Sequence, residues 1–135
     1  MSEREAIKTA KAVPVRRVLV VDDDPQVASV LVEMLRTFGY HATSVAGADQ
    51  AIRELPTIDP DVVITDLVMP EGEGMELLTH LWRSRHRHRP AVIAMSGNAT
   101  GVQFLRASEL LGACATLRKP FGPAELRDAM AAAAV

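Results

Sequence analysis

Four short apolar runs in this chain lead into residues that could do chemistry. Val18-Leu19-Val20-Val21 runs into Asp22-Asp23-Asp24, and Val62-Val63-Ile64-Thr65 runs into Asp66. Two further runs end in Met95-Ser96 and in Arg118-Lys119-Pro120. If these runs are strands of one parallel sheet, their ends converge, and one pocket then holds several carboxylates, a hydroxyl and a lysine. Two carboxylates about 4 Å apart repel by about 4 kcal/mol at an effective dielectric constant near 20, so such a cluster calls for a cation. Oxygen ligands with no Cys or His beside them favour Mg²⁺, or Mn²⁺ in its place. The set suits phosphoryl transfer, in which a protein mainly positions groups and offsets charge, and a carboxylate can itself be the nucleophile. The metal, Lys119 and the Ser96 hydroxyl would each take one phosphoryl oxygen.

The elements that must position these groups are legible in the hydrophobic pattern. The runs Val18-Val21, His41-Val45, Val62-Thr65, Ala91-Met95 and Ala115-Leu117 are each followed by a stretch with apolar residues every three or four positions. Continuous apolar runs alternating with helices predict an α/β fold, a doubly wound parallel sheet with helices on both faces. The clearest helix places Val27, Val30, Leu31, Met34, Leu35 and Phe38 on one face, and Gly39 ends it. Pro123 opens the last helix, and Ala131-Ala134 are its final turn. Residues 1–14 fall outside the pattern as a polar N-terminal extension, leaving 15–135 as the domain.

The whole chain has 135 residues, close to one domain at roughly 150 residues each. With 48% hydrophobic and 24% charged residues, it excludes disordered, collagen-like and membrane-embedded classes. A net charge of −2 excludes the basic footprint of a dedicated nucleic-acid binder. Cys114 is the single cysteine, so neither an internal disulfide nor a Cys-based metal cluster can form. The mixed-charge start Met1-Ser2-Glu3-Arg4-Glu5 precedes no apolar run of signal or membrane-spanning length, and a cytoplasmic location is expected.

The segments VLVVDDDP, VVITDLVMP, VIAMSGN and LRKPF resemble, in order and spacing, those of the receiver domain of bacterial response regulators over roughly residues 16–134. The resemblance implies a flavodoxin-like sheet of five strands in the order 2-1-3-4-5. It makes Asp22 and Asp23 the acidic pair, Asp66 the phosphoacceptor, Ser96 the hydroxyl residue and Lys119 the lysine before a proline. The metal would be held by Asp23, Asp66 and the backbone carbonyl of Val68, with Asp22 acting through water. The Lys119–Pro120 bond is expected to be cis. The phosphoryl donor would be a histidine kinase or a histidine phosphotransfer protein, and phosphorylation would change a surface read by a downstream partner. No output domain is expected within these residues, so the signal would leave by contact or the domain belongs to a longer protein; neither nucleic acid nor membrane is expected to bind directly, and no turnover is implied beyond the domain's own phosphorylation and dephosphorylation.

Three positions depart from the family pattern. Thr116 stands where many receivers carry an aromatic ring, so the switch pair Ser96 and Thr116 has no ring to swing inward. Ser96 replaces the commoner Thr, and Gly112-Ala113-Cys114-Ala115 lacks the acidic residues often found before the fifth strand. Two residues past the acceptor, Val68 can neither orient nor deprotonate an attacking water, and Asn98 offers no basic group. Slow self-dephosphorylation is therefore expected, with the signal leaving through the loop from Gly97 to Gly101 and the helix after it.

Competing readings rest on the same residues. Asp22-Asp23-Asp24 contains the Asp-x-Asp of haloacid dehalogenase-like Mg²⁺-dependent phosphatases, but Gln26 stands where that class has Thr or Val, and only Glu125 and Asp128 follow Lys119. A flavin- or nucleotide-binding flavodoxin-like module would want Gly, Ser or Thr amides after the first strand, where three aspartates stand. Asp24 before Pro25 reads as a helix cap, Cys114 as a packed hydrophobe, and Met69-Pro70 and Gly74 as turn residues. The basic run Arg83-Ser84-Arg85-His86-Arg87-His88-Arg89 reads as a solvated loop after a helix ending near Trp82.

Overall fold

The structure, a computed structural model, describes residues 16–69, 73–83, 90–97 and 101–134. Its strands are β1 (Arg17–Val21), β2 (His41–Val45), β3 (Val62–Asp66), β4 (Ala91–Ser96) and β5 (Ala115–Arg118). Its helices are α1 (Pro25–Thr37), α2 (Ala48–Ile58), α3 (Glu73–Arg83), α4 (Gly101–Leu110) and α5 (Pro123–Ala133). All strand pairs are parallel, in the order β2-β1-β3-β4-β5. The expected polar extension, residues 1–14, lies outside the described residues, as does most of the basic run, Ser84 to Arg89.

The apolar runs are continuous because both faces of the sheet are covered. Val18, Val20, Ile64, Ile93, Met95 and Leu117 pack with Leu31 and Leu35 of α1 and with Leu126 and Met130 of α5. The intervening residues Leu19, Val21, Val63, Val92 and Ala94 pack on the other side with Ala51 of α2, Leu77 and Leu81 of α3 and Leu105 of α4. A period of two thus divides each strand between two cores. Each fully buried Leu, Ile or Val side chain contributes about 1.5–3 kcal/mol.

The topology also makes the crevice. From β1 the chain goes to β2 on one side and returns to β3 on the other, so β1 pairs with both. The connections leaving β1 and β3 diverge above the sheet, and a cleft opens between them. The ladder runs one residue beyond the apolar run in β3, β4 and β5: Asp66 pairs with Met95 and Ser96 with Arg118. Backbone pairing does not require an apolar side chain. The sheet itself therefore fixes Asp66 and Ser96, which the pattern had put at the strand exits.

Helix α1 carries its own start and stop signals. The Asp24 carboxylate accepts from the amides of Gln26 at 2.9 Å and Val27 at 3.4 Å, and Pro25 fills the first helical turn. At the far end Tyr40 N–H donates to Leu35 O and Gly39 N–H to Arg36 O, both at 3.0 Å, with Gly39 at φ +99°. This is the paired-bond stop in which glycine takes the left-handed position.

The buried face of α1 differs from the expected stripe. Ala28, Leu31, Val32 and Leu35 are buried, whereas Val30 is 57% exposed and Val27, Met34 and Phe38 are half-buried. The helix rolls so that the small Ala28 lies against the sheet, and the edge carrying Val27, Val30 and Met34 faces outward. Leu31→Ala should therefore lower unfolding stability by about 2–5 kcal/mol in urea titration, while Val30→Ala should change it by about 0.5 kcal/mol or less. Equal losses would contradict the observed face.

Candidate functional site

Asp22 follows β1 directly and is buried, with its N–H donating to Val45 O of β2 at 3.2 Å. Its two carboxylate oxygens are both engaged: Oδ1 accepts from Asp24 N–H at 2.9 Å and Oδ2 from Lys119 Nζ at 2.7 Å. Asp66, the last residue of β3, accepts from Lys119 Nζ at 3.0 Å through Oδ2 and from Val68 N–H at 3.0 Å through Oδ1. Asp23 is exposed, and one carboxylate oxygen from each of Asp22, Asp23 and Asp66 lies within 4.8 Å of the others.

Lys119 reaches this group because its backbone is tied in. Its N–H donates to Ser96 O at 2.8 Å, and the Lys119–Pro120 peptide is cis, as expected. A Cβ on Gly97 would lie 3.4 Å from Lys119 Cβ, so a side chain there would lie against the lysine stem. Three carboxylates and one ammonium leave two negative charges in the crevice. At about 4.8 Å and an effective dielectric constant near 20, each carboxylate pair repels by on the order of 3–4 kcal/mol.

Burial pushes the Asp66 carboxyl above the ordinary Asp range, and the bonds from Val68 and Lys119 only partly offset it. Burial alone would depress the Lys119 ammonium, but bonding to Asp22 and Asp66 outweighs it and holds the lysine above its ordinary value. Ser96 Oγ stands on the last residue of β4, the residue whose main-chain oxygen accepts from Lys119 N–H. It is buried and, among the described residues, is the one buried side-chain polar atom without a hydrogen-bond partner. A buried hydroxyl left unpaired costs about 1–3 kcal/mol, so it marks a place where a polar group is wanted.

The remaining expected residues are placed as follows. Val68 is 37% exposed beside Asp66. Thr116 is half-buried on the edge strand β5, and it faces away from the core that Ala115 and Leu117 join, on the α4 side of the sheet. Asn98 and the loop residues 98–100 lie outside the described residues, as does Pro70. Asp24 serves as the cap of α1. Cys114 corrects the packed reading: one residue before the edge strand it is exposed, while its Sγ–H donates to Val92 O at 3.3 Å.

Two buried residues beside Asp66 were missed by sequence reasoning. Gly74, read as a turn residue, sits buried in the first turn of α3, where a Cβ would fall 2.5 Å from Asp66 O. A glycine inside a helix costs about 1 kcal/mol relative to Ala, which was the available signal for a close backbone approach. Thr65, read only as part of an apolar run, has its hydroxyl bonded to Asp66 O at 3.0 Å.

Comparison with known proteins places this arrangement. Residues 18–131 match the model of the response regulator receiver domain. The chain belongs to that family, the phosphoacceptor domains of two-component signalling. It is 37% identical over 122 residues to the sensory/regulatory protein RpfC of Xanthomonas campestris pv. campestris, covering 88% of this chain and 16% of RpfC. It is 28% identical to the phosphate regulon transcriptional regulatory protein PhoB of Escherichia coli K12, covering 82% of this chain and 48% of PhoB. The chain thus spans less than half the length of either relative. Among solved structures, the response regulator signal receiver domain from Bermanella marisrubri aligns with a TM-score of 0.81 at 25% identity, covering 90% of this chain and all of that one. Among the described residues no helix is long and apolar enough to cross a membrane.

The raised Asp66 pKa has a consequence for stability. A carboxyl whose folded pKa exceeds its unfolded value of 3.8 favours folding only while protonated, so its contribution is lost as pH rises through the folded pKa. In metal-free buffer Asp66→Asn should be more stable than the parent at pH 7, with the advantage shrinking as pH falls toward 3.8. Denaturation at a series of pH values measures it, and an advantage independent of pH would contradict the assignment.

Proposed function

We propose that residues 15–135 act as a receiver that takes a phosphoryl group onto Asp66 from a phosphohistidine, carried by a histidine kinase or a histidine phosphotransfer protein, with Mg²⁺ or Mn²⁺ bound. The observation that carries this reading is the cluster of Asp22, Asp23 and Asp66 carboxylates at the strand ends, with Lys119 bridging the two buried ones. Asp66 Oδ attacks phosphorus, a P–O bond forms, the P–N bond to imidazole breaks, and the imidazole leaves and takes up a proton from solvent.

The donor set fits a hard divalent cation, since it is all oxygen and carries two uncompensated negative charges. Asp23, Asp66 and the Val68 carbonyl would hold the ion, which supplies positive charge to the phosphoryl oxygens. Asp22 would act through water, as the family resemblance implies. Lys119 neutralises a second phosphoryl oxygen, and Ser96 Oγ donates to a third, gaining the partner it lacks.

The donor has a seat beside this site. A groove of about 440 Å³ lies between α1 and the turn into α5, lined by Val27, Val30, Met34, Pro120 and Phe121 and reaching Gly97 and Lys119. The groove shares Lys119 with the acceptor crevice, so a helix presenting a phosphohistidine there would bury Val30 beside the site. The downstream protein would be engaged by contact, from a cytoplasmic domain. The net charge of −2 gives little attraction for nucleic acid.

Incubation with acetyl phosphate and Mg²⁺ should add one phosphoryl group by intact mass, and both Asp66→Asn and removal of Mg²⁺ should abolish the addition. Labelling of Asp66→Asn at the parent rate would place the acceptor elsewhere. The apolar Val68 side chain neither orients nor deprotonates water, so the phosphorylated protein should be long-lived. Val68→Asn should hydrolyse several-fold faster in a phosphate-release assay, and an unchanged lifetime would remove Val68 from this role.

A further inference from the structure

The acceptor's own peptide is held from two directions. The hydroxyl of Thr65, a residue with no exposed surface, donates to Asp66 O at 3.0 Å. From another element, the first turn of α3 presses its backbone onto the same atom. A Cβ at Gly74 would lie 2.5 Å from Asp66 O, 2.6 Å from Leu67 Cα and 2.7 Å from Leu67 O. Real Cβ atoms do not approach backbone so closely, so any larger residue at 74 must push the acceptor peptide and the helix apart.

What hangs from this peptide is the chemistry. The Asp66 side chain leaves its Cα, and two residues on, Val68 returns an N–H to Asp66 Oδ1 at 3.0 Å. The strand contributes only part of the restraint, since Leu67 N–H is the last amide bonded to β4, at 2.9 Å from Met95 O. Beyond that point Asp66 O, fixed by Thr65 and Gly74, sets where the carboxylate and the Val68 carbonyl lie.

We infer that Thr65 and Gly74 are positioning residues for phosphoryl acceptance, acting through the Asp66 carbonyl without touching phosphoryl group or metal. The inference rests on Asp66 being the acceptor. Reacting groups must sit within about 0.5 Å of the productive geometry, and a displacement of about 1 Å can cost up to 100-fold in rate. Thr65→Val keeps the shape and removes the hydroxyl, Thr65→Ser keeps the hydroxyl, and Gly74→Ala adds the Cβ.

The test compares labelling rates with acetyl phosphate at saturating Mg²⁺ and Mg²⁺ affinity by calorimetry, each beside the melting temperature. Thr65→Val and Gly74→Ala should each label about tenfold more slowly and bind Mg²⁺ more weakly. Thr65→Ser should stay within about twofold of the parent on both readouts. Thr79→Val, which removes a similar hydroxyl bond from Thr79 to Met75 O at 2.9 Å within α3, should lower the melting temperature and leave labelling unchanged. The double variant Thr65→Val/Gly74→Ala should lose less than the product of the single losses, because both act on one peptide. If Thr65→Val does not fold, Gly74→Ala and Thr65→Ser decide the matter alone. Parent-like labelling and Mg²⁺ binding in Gly74→Ala or Thr65→Val overturns the inference, as does a Thr65→Ser loss equal to that of Thr65→Val. A parent protein that accepts no phosphoryl group instead overturns the reading of Asp66 as acceptor.

Discussion

Excess negative charge in a half-buried crevice is the constraint on which the rest of this molecule depends. Asp22, Asp23 and Asp66 are brought together against their mutual repulsion, and Lys119 is shared between two of them. Truncating Lys119 would leave two buried carboxylates facing each other, the most costly kind of unpaired group. The lysine therefore holds the crevice together through one shared ammonium. The sheet supplies the rigidity needed to hold like charges close, since Asp22 and Asp23 follow β1, Asp66 ends β3 and Lys119 follows β5, all at strand ends locked by two cores.

That rigidity is unevenly distributed. Asp66 and Ser96 are paired into the ladder, Lys119 is tied through its amide to Ser96 O, and Asp22 is tied to β2 through Val45. Asp23 alone projects outward, with its carboxylate free to meet an ion from solvent. A cluster with two carboxylates held and one adjustable can admit a hydrated cation without rearranging the buried pair. Crowding of Asp66 by helix α3 at Gly74 completes the restraint from the side the strands do not reach.

Most of the fold was legible because each level of the sequence agreed with the next. The runs Val18-Val21 and Val62-Ile64 are apolar at every position, as a doubly covered parallel strand requires, and the groups able to do chemistry stand just past them. The site's members were legible because three aspartates and a lysine at strand ends have few structural uses. Less visible were features that depend on rotation or on close approach. The α1 stripe pointed at Val30, yet burial follows Ala28 and Leu31, because a small residue allows the helix to settle on the sheet along a different line. Gly74 and Thr65 were unremarkable by type. Their significance lies in distances to a backbone oxygen contributed by another turn of chain, which spacing along a sequence does not encode. Cys114 likewise looked like filler for a core, but it precedes an edge strand, where one flank is open.

The division of the interior into two cores has a consequence for how such a protein can change over generations. Side chains on the α1 and α5 face and those on the α2, α3 and α4 face meet only through the strands, each strand residue belonging to one side or the other. Repacking one face leaves the opposite packing intact, so substitutions on the two faces are close to energetically independent. The groove beside α1 and the surface around Thr116 lie on opposite sides of this partition. Drift that remodels one of them leaves the packing beneath the other in place, so the two surfaces are free to diverge separately.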